Sequence, residues 1–269
     1  MKETRVACCQ FEPTPGDVKA NRKKLESLLD SSRRSDPHVV VFPEVCIQGI
    51  VPAETIANTA ESIPGDTSKL VCALSKEYGV YCVVGLAEKR GGDYFNAAML
   101  TSPEGEVVGV YRKSHLWINE RQIYTRGVEY PVFDTDIGKV GMWICYDTRF
   151  PEVARSLSMK GASIAFVPTA WLRDDVEHWR LAMRSRALDN FLYVCGSDQI
   201  AQSDFYQACG ASLICDPNGL IVSRATEMKE MAISATVDLT LVSRLRTSIP
   251  VLEDLKMEEL AVDSRGPVK

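Results

Sequence analysis

A cysteine at a predicted strand-to-helix turn is the first candidate for chemistry. The run from Lys139 to Ile144 is mostly apolar and typical of a strand, and Pro151 stands where a helix is predicted to begin, so Cys145 lies at the turn between them. In an α/β sheet such turns lie at the carboxyl ends of the strands, within reach of a ligand. A free cysteine is commonly a buried, small apolar side chain, and Cys145 taken alone would be assigned that role.

Two charged residues at other predicted strand ends favour a reactive role for Cys145. Glu44 follows the β-branched and aromatic run from His38 to Phe42, and Lys113 follows the strand-like run from Val107 to Arg112. A thiol is only slightly ionised at neutral pH, so it needs a nearby base or positive charge in order to react quickly. A lysine can stabilise the negative charge that develops on an acyl oxygen under attack. The three residues together therefore predict nucleophilic acyl chemistry.

The elements that would position these residues alternate between strand and helix. Strands are predicted first from Arg5 to Phe11, His38 to Phe42 and Tyr81 to Ala87, with helices from Asp17 to about Ser35 and from Ser68 to Tyr78. Two strand pairs follow, Asn96 to Leu100 with Val107 to Arg112, and Pro131 to Thr135 with Lys139 to Ile144. Helices from Pro151 to Lys160 and Asp174 to Asn190 then alternate with strands from Ser163 to Val167 and Phe191 to Gly196. This order predicts an α/β protein.

Two features of the second half extend this prediction. The stretch from Ala211 to Val222 repeats the strand, Pro-x-Gly turn and strand pattern of Ala98 to Val108, which favours two similarly built sheets packed face to face. In the helix from Asp174, the residues predicted to face inward are Trp179, Ala182, Met183 and Leu188. From about residue 240 the pattern weakens, which predicts a C-terminal tail that is frayed or docked on another subunit.

Composition excludes several classes of protein. The 269 residues suffice for one large α/β domain or two smaller ones, and 45% hydrophobic with 25% charged residues is typical of a globular chain. No apolar run approaches the roughly 20 residues of a membrane-spanning helix. The segment from Met1 to Arg5 lacks the apolar character of a secretory signal. We therefore expect a cytosolic location without membrane contact. A net charge of -5 argues against a nucleic-acid partner.

The cysteines and histidines form no pattern of a disulfide framework or metal site. There are nine cysteines, an odd number, and no C-x-x-C spacing. The histidines are scattered at His38, His115 and His178, so a zinc site would have to be assembled entirely by the fold. We therefore expect neither a metal nor an organic cofactor.

Three sequence blocks resemble a known family. They are Phe42-Pro43-Glu44, the segment from Tyr111 to Leu116, and Ile144 to Asp147 continued by Arg149-Phe150-Pro151-Glu152. In order and spacing these blocks are similar to the three signatures of the carbon–nitrogen hydrolase (nitrilase) superfamily, over nearly the whole chain. The resemblance implies one domain over residues 1–269 with an αββα sandwich, in which two central mixed β-sheets are flanked by helices. It also implies pairing with a second subunit into an αββα–αββα arrangement, hence a homodimer or higher homo-oligomer.

The resemblance assigns roles residue by residue. Glu44 would be the general base, Lys113 would stabilise the oxyanion, Cys145 would be the nucleophile, and the backbone N–H of Tyr146 would complete the oxyanion hole. Family members often carry a second glutamate between the lysine and the cysteine. The candidates for it are Glu120 and, as the alternative, Glu129, and Trp117 and Trp171 are candidate pocket residues.

These roles imply a cysteine amidohydrolase that converts a small linear carboxamide and water to a carboxylate and ammonia through a thioester. The segment Thr169-Ala170-Trp171 differs from the Gly-Ala-Phe type of the ω-amidase branch, which makes an α-keto acid amide a less expected substrate. An N-carbamoyl amidohydrolase, for which only His178 offers a matching extra histidine, and a nitrilase, usually a longer chain, are the alternative enzymes. A non-catalytic thiol or scaffold protein of the same fold is the alternative from another class.

Overall fold

Two mixed six-stranded β-sheets, a two-stranded sheet of β10 and β11, and flanking helices make up the computed structural model, which describes residues 3–203 and 206–255. The strands are β1 (Glu3–Gln10), β2 (Val39–Val41), β3 (Tyr81–Arg90), β4 (Asp93–Thr101), β5 (Val107–Arg112), β6 (Val132–Thr135), β7 (Gly138–Met142), β8 (Ile164–Thr169), β9 (Tyr193–Asp198), β10 (Ile200–Gln202), β11 (Gln207–Cys209), β12 (Leu213–Cys215), β13 (Ile221–Arg224) and β14 (Met231–Asp238). The α-helices are α1 (Val18–Ser32), α2 (Ala53–Thr59), α3 (Asp66–Tyr78), α4 (Pro151–Met159), α5 (Val176–Asn190) and α6 (Leu239–Ser248).

The two large sheets have related topologies. The first has six strands in the order β14-β1-β2-β3-β4-β5, and the second has six in the order β13-β12-β9-β8-β7-β6. Each has three parallel central strands, β1-β2-β3 or β7-β8-β9, extended by antiparallel strands at its edges. The repeated sequence pattern corresponds to the hairpins β4–β5 and β12–β13, which lie at one edge of their respective sheets beyond β3 and β9.

The core lies between the sheets and under the helices. Along β1, Val6 and Cys8 belong to a buried cluster shared with the second sheet, whereas Ala7 and Cys9 belong to a cluster under α1 and α3. This alternation is what a strand buried on both faces requires. Helices α4 and α5 cover the outer face of the second sheet, as the burial of Leu157 and Met183 shows. The predicted αββα sandwich is confirmed.

Helix α5 orients one residue differently from the prediction. Trp179 and Met183 are buried, but Leu188 is 48% exposed. Leu188 is nine positions after Trp179, and at about 100° per residue this places it on the opposite side of the helix. The inward prediction for Leu188 is therefore wrong.

The predicted tail begins with regular structure. Residues Leu239–Ser248 form α6, in which Val242 is buried and Arg246 donates a hydrogen bond of 2.7 Å to the carbonyl of Ala162. This part of the chain packs on the core of the same molecule, so the prediction that the tail starts at about residue 240 is wrong for residues 239–248. Residues 256–269 lie outside the described part of the chain, and docking of this end on another subunit stays a prediction. No helix within the described ranges is long and apolar enough to cross a membrane.

Candidate active site

A cavity of about 100 Å³ brings the predicted reactive side chains together. Its lining includes the four candidate catalytic residues Glu44, Lys113, Glu120 and Cys145, and the three candidate binding residues Trp117, Tyr146 and Trp171. Glu129, the alternative second glutamate, is exposed and is not among the lining residues. The structure therefore places Glu120, and not Glu129, at this site.

Cys145 lies where the sequence predicts, between a strand and a helix. It follows β7 and is the first residue of a 3₁₀ turn, Cys145–Arg149, that leads into α4. Its φ of 44° is left-handed, a conformation that is uncommon for a residue other than glycine and is often stored at functional sites. The Cys145 residue is buried, with an exposed fraction of 8%, and its Sγ lies 3.5 Å from the carbonyl oxygen of Ala170. The turn thus presents the sulfur to the cavity from a constrained backbone.

The backbone of Pro43 and Glu44, here called the Glu44 segment, contacts both large sheets. The N–H of Glu44 donates to the carbonyl of Thr169 at 3.4 Å, and Gln199 Nε2 donates to the carbonyl of Glu44 at 3.0 Å. On the other side, Gly85 of β3 lets the segment approach closely, because a Cβ there would lie 2.2 Å from the carbonyl oxygen of Pro43. These contacts fix the backbone that carries Glu44.

One ammonium group contacts two carboxylates in the lining of the cavity. Lys113 Nζ lies 2.7 Å from Glu44 Oε1 and 2.8 Å from Glu120 Oε2. Glu120 is held in place by the backbone N–H of Trp117, which donates to Oε2 at 2.6 Å. Lys113 and Glu44 are buried, and the Glu120 side chain is 16% exposed. The cluster carries a net negative charge when both carboxylates are ionised.

Asn96 completes this cluster and was not identified from the sequence. Its side-chain amide Nδ2 donates to Glu44 Oε1 and to Glu120 Oε1, both at 2.7 Å. Asn96 lies within β4, in a run whose only local signal is that of a strand. Since its partners are 52 and 24 residues away along the chain, no local pattern could have revealed the contact.

A buried carboxylate connects the two segments that carry Lys113 and Cys145. Asp147 Oδ2 accepts hydrogen bonds from Tyr111 Oη at 2.7 Å and from the N–H of Ile144 at 3.0 Å. Its Oδ1 accepts the backbone N–H of His115 at 2.9 Å. Because Ile144 precedes the nucleophile and His115 follows Lys113 closely, Asp147 holds the two segments in a fixed relation.

Burial and charge set the protonation of the reactive groups. Burial raises the pKa of the Cys145 thiol well above its ordinary value, the Glu44 carboxylate adds to this, and Lys113 opposes it. Burial also raises the pKa of Glu44, against the effect of Lys113. For Lys113, burial alone would lower the pKa, but Glu120 and Glu44 outweigh it and hold the pKa well above the usual range. The resting site therefore combines a protonated thiol with a charged lysine, and the thiol needs a base.

Aromatic side chains form part of the remaining cavity wall, beside aliphatic and polar ones. Trp117 and Tyr146 meet edge to face with ring centroids 4.7 Å apart. The Trp171 indole N–H donates a hydrogen bond of 2.9 Å to the carbonyl of Asp175. The guanidinium of Arg149 lies over the Trp171 ring, 5.2 Å from the ring centre. Arg149 in turn pairs with Asp175 at 3.0 Å. The lining roles of Arg149 and Asp175, and of Tyr206, were not predicted from the sequence.

No group of three or more His, Cys, Asp or Glu side chains in the described part of the chain is arranged to hold a metal ion. All nine cysteines are free.

Comparison with known proteins identifies the family. The family model for carbon-nitrogen hydrolases matches residues 5–247. A probable nitrilase of Schizosaccharomyces pombe is 31% identical over 264 residues, which cover 96% of this chain and 97% of the relative. The 2-oxoglutaramate amidase of Bacillus subtilis is 31% identical over 265 residues, which cover 96% of this chain and 99% of the relative.

A solved structure agrees with these matches. Nit3 of Saccharomyces cerevisiae, a member of branch 10 of the nitrilase superfamily, superposes with a TM-score of 0.85 at 28% identity, covering 93% of this chain and 95% of Nit3. The family resemblance of the three sequence blocks is therefore confirmed. This chain belongs to the carbon–nitrogen hydrolase family and is an enzyme that acts on carbon–nitrogen bonds.

Proposed function

We propose that the protein is an amidase that hydrolyses a small linear carboxamide to a carboxylate and ammonia through a thioester on Cys145. The observation that carries this proposal is that Glu44, Lys113 and Cys145 line one cavity, with Lys113 Nζ 2.7 Å from Glu44 Oε1. A base, a fixed cation and a thiol in one site are the groups that acyl transfer to cysteine requires.

In acylation, Glu44 takes the thiol proton as Cys145 Sγ attacks the carbonyl carbon of the amide. This transfer is needed because the buried thiol is protonated at rest. The carbonyl oxygen becomes an oxyanion, which Lys113 and the backbone N–H of Tyr146 stabilise. Glu44 then returns the proton to the nitrogen, the C–N bond breaks, and ammonia leaves the thioester behind.

In deacylation, water replaces ammonia in the cavity. Glu44 takes a proton from the water as its oxygen attacks the thioester carbon, and Lys113 again faces the oxyanion. The C–S bond breaks, the sulfur of Cys145 recovers a proton from Glu44, and the carboxylic acid leaves and ionises. Glu120, which contacts Lys113 at 2.8 Å, keeps the ammonium fixed through both steps.

The size and wall of the cavity favour a small acyl group. A volume of about 100 Å³ suits a short linear chain better than a bulky one. Ala170 and Trp171, which belong to the segment that departs from the ω-amidase pattern, both line the cavity. This departure changes the surface that would contact the acyl group, which favours an amide other than that of an α-keto acid. The 31% identity to a 2-oxoglutaramate amidase favours an α-keto acid amide instead, so both kinds of amide belong in the assay.

The reaction is tested with purified protein and a panel of short linear amides, N-carbamoyl amino acids and nitriles. Ammonia and the acyl product are measured together. We expect ammonia with an equal amount of carboxylate from amides. Carbon dioxide released with ammonia would instead indicate a carbamoyl amidohydrolase, and turnover of the nitriles would indicate a nitrilase.

The nucleophile is tested by Cys145→Ala, with Cys195→Ala as the matched control. Both cysteines are buried, but Cys195 lies in the core outside the cavity lining. Cys145→Ala should abolish turnover without loss of the folded state, while Cys195→Ala should keep the rate. Substantial turnover by Cys145→Ala overturns the thioester mechanism.

We also propose that the enzyme is a cytosolic homodimer. Leu181 and Leu188, one above the other on α5, are 67% and 48% exposed, and Leu220 in the neighbouring hairpin is 57% exposed. Exposed apolar side chains grouped in this way are typical of an interface. Light scattering of the purified protein should give twice the chain mass of 29.8 kDa, and a monomer mass contradicts the proposal.

A further inference from the structure

The side chain of Asn96 contacts both carboxylates of the site. It is 1% exposed, and its Nδ2 lies 2.7 Å from Glu44 Oε1 and 2.7 Å from Glu120 Oε1. A carboxamide nitrogen carries two hydrogens, so each carboxylate receives one of them. The reaction steps described above make no use of this residue.

The orientation of the amide is set by these carboxylates. Asn96 Oδ1 is buried and has no hydrogen-bond partner among the described residues. Reversing the amide would place that oxygen against two carboxylate oxygens, which is electrostatically unfavourable. Unpaired buried amide oxygens are exceptions in folded proteins. The side chain is therefore placed for its contacts with Glu44 and Glu120 and not for its own complete hydrogen bonding.

The hydrogen bonds to Glu44 are unevenly distributed between its two oxygens. Oε1 accepts from Asn96 Nδ2 and from Lys113 Nζ, both at 2.7 Å. These are the carboxylate's hydrogen bonds from the described residues, and both end on the same oxygen. Because Oε1 already accepts two hydrogen bonds, Oε2 is the oxygen that can gain and lose a proton without breaking either of them.

We propose that Asn96 is a positioning residue for acyl transfer, whose amide, together with Lys113, holds Glu44 by Oε1 and leaves Oε2 to exchange protons with Cys145 and the leaving group. This inference rests on the proposed function. It deepens that proposal by naming the oxygen of the base that carries the proton and the residue that selects it.

The amide has a second effect, on protonation. A hydrogen bond donated to a carboxylate favours its charged form, and an amide donates at every pH because it does not titrate. Among the described residues, the titratable and charged groups that interact electrostatically with Glu44 are Lys113, Glu120, Cys145, Tyr124, Asp198 and Tyr206. Like Lys113, the Asn96 amide lowers the pKa of Glu44, against the effect of burial.

The test uses Asn96→Leu, which keeps the side-chain shape and removes the unpaired Oδ1 together with both donated hydrogen bonds. Glu44 and Glu120 keep their contacts with Lys113 but each loses one donor, so a loss of about 1–3 kcal/mol in the free energy of unfolding is expected and has to be measured beside the kinetics. The matched control is Asn190→Leu, since Asn190 is also 1% exposed and also has an unpaired Oδ1, but lies outside the cavity lining.

For Asn96→Leu we expect kcat on the best amide to fall about 10- to 100-fold, the scale of a lost hydrogen bond to a charged group, with KM nearly unchanged. Because ionised Glu44 loses a donor, its pKa rises, and the acidic limb of the kcat/KM profile should move to higher pH by about one unit. Asn190→Leu should leave both quantities unchanged. An unmoved acidic limb, or a loss of activity that only follows the loss of thermal stability in both variants, overturns the inference.

A second readout does not depend on amide turnover. The rate at which iodoacetamide alkylates Cys145 is measured against pH by mass spectrometry of the peptide that contains it. The same shift to higher pH is expected in Asn96→Leu. If the wild-type protein releases no ammonia but this shift is present, the proposed function fails and the link between Asn96 and the base stands. If ammonia is released and neither pH profile moves, the proposed function stands and the role of Asn96 is overturned.

Discussion

Lys113 Nζ lies 2.7 Å from Glu44 Oε1, and neither side chain is more than 2% exposed. A buried ion pair of this kind recovers its desolvation cost only through close geometry and additional hydrogen bonds. Here the same ammonium also contacts Glu120 at 2.8 Å, so one positive charge stands against two carboxylates. Such an arrangement is a weak source of fold stability, but it keeps a base and a cation adjacent to the cavity.

Lys113→Ala should lower kcat about 10²-fold or more, the scale observed when one oxyanion donor is lost, while changing KM much less. The reason is that the ammonium's main partner in the reaction is charge that appears only in the transition state. Removing one member of a buried pair also lowers the free energy of unfolding by about 3–5 kcal/mol. Urea unfolding therefore has to accompany the kinetics. A change confined to KM would mean that Lys113 binds a carboxylate of the substrate.

Glu120→Gln and Glu129→Gln form a matched pair for the second glutamate. Glu120 contacts Lys113, Asn96 and the N–H of Trp117, whereas Glu129 is exposed. We expect Glu120→Gln to lower kcat about 10- to 100-fold, the equivalent of a lost charged hydrogen bond. Glu129→Gln should keep the wild-type rate. Equal rates in the two variants would remove Glu120 from the mechanism.

Most of the sandwich and the principal site residues could be predicted from the sequence. Glu44, Lys113 and Cys145 each follow an apolar run that ends in a polar or turn-forming segment. These runs form strands, which are buried in β2, mostly buried in β7 and only partly buried in the edge strand β5. A reactive residue can therefore be identified from the sequence where it directly follows an apolar run that predicts a strand. Asn96 could not be found in this way, because it lies inside a strand and its role depends on partners 52 and 24 residues distant.

The elements at the end of the described chain were missed for a related reason. In β14 only Ile233 and Val237 are buried, and in α6 only Val242 is buried. In an edge strand and a surface helix with so few buried positions, the hydrophobic periodicity is too weak for the sequence to predict either element. Their stability comes from pairing with β1 and from packing on the core, which a local pattern does not contain.

Gly85→Ala tests whether the close approach of β3 to the Glu44 segment is needed. An added Cβ would lie 2.2 Å from the carbonyl oxygen of Pro43 and 2.6 Å from Glu44 Cα, so the segment would have to shift. We expect a loss of about 1–3 kcal/mol in the free energy of unfolding and a fall in kcat, because even a small displacement of the base matters. The control is Gly92→Ala, where an added Cβ meets nothing within 4 Å. Equal stability and activity in both variants would contradict the required approach.

Glu44→Gln addresses the proton shuttle directly. The amide keeps the shape and can remain hydrogen bonded, but it cannot accept the proton of Cys145. Burial raises the pKa of Glu44 above its ordinary value of 4.5, so in the wild type the base form, and the activity with it, is lost as the pH falls through that raised pKa. In Glu44→Gln this acidic limb should disappear from the residual rate.

The same variant separates the two halves of the reaction. Acylation and deacylation should both slow, by about 10²- to 10⁴-fold for loss of a positioned acid–base group. Where acylation persists at a residual rate, the thioester should accumulate, because hydrolysis needs the same base to activate water. Intact mass spectrometry should then show the protein heavier by one acyl group, and Cys145→Ala should show no such adduct. Full activity in Glu44→Gln would exclude Glu44 as the base, and the adduct experiment would then be repeated with Glu120→Gln, the other carboxylate in contact with Lys113.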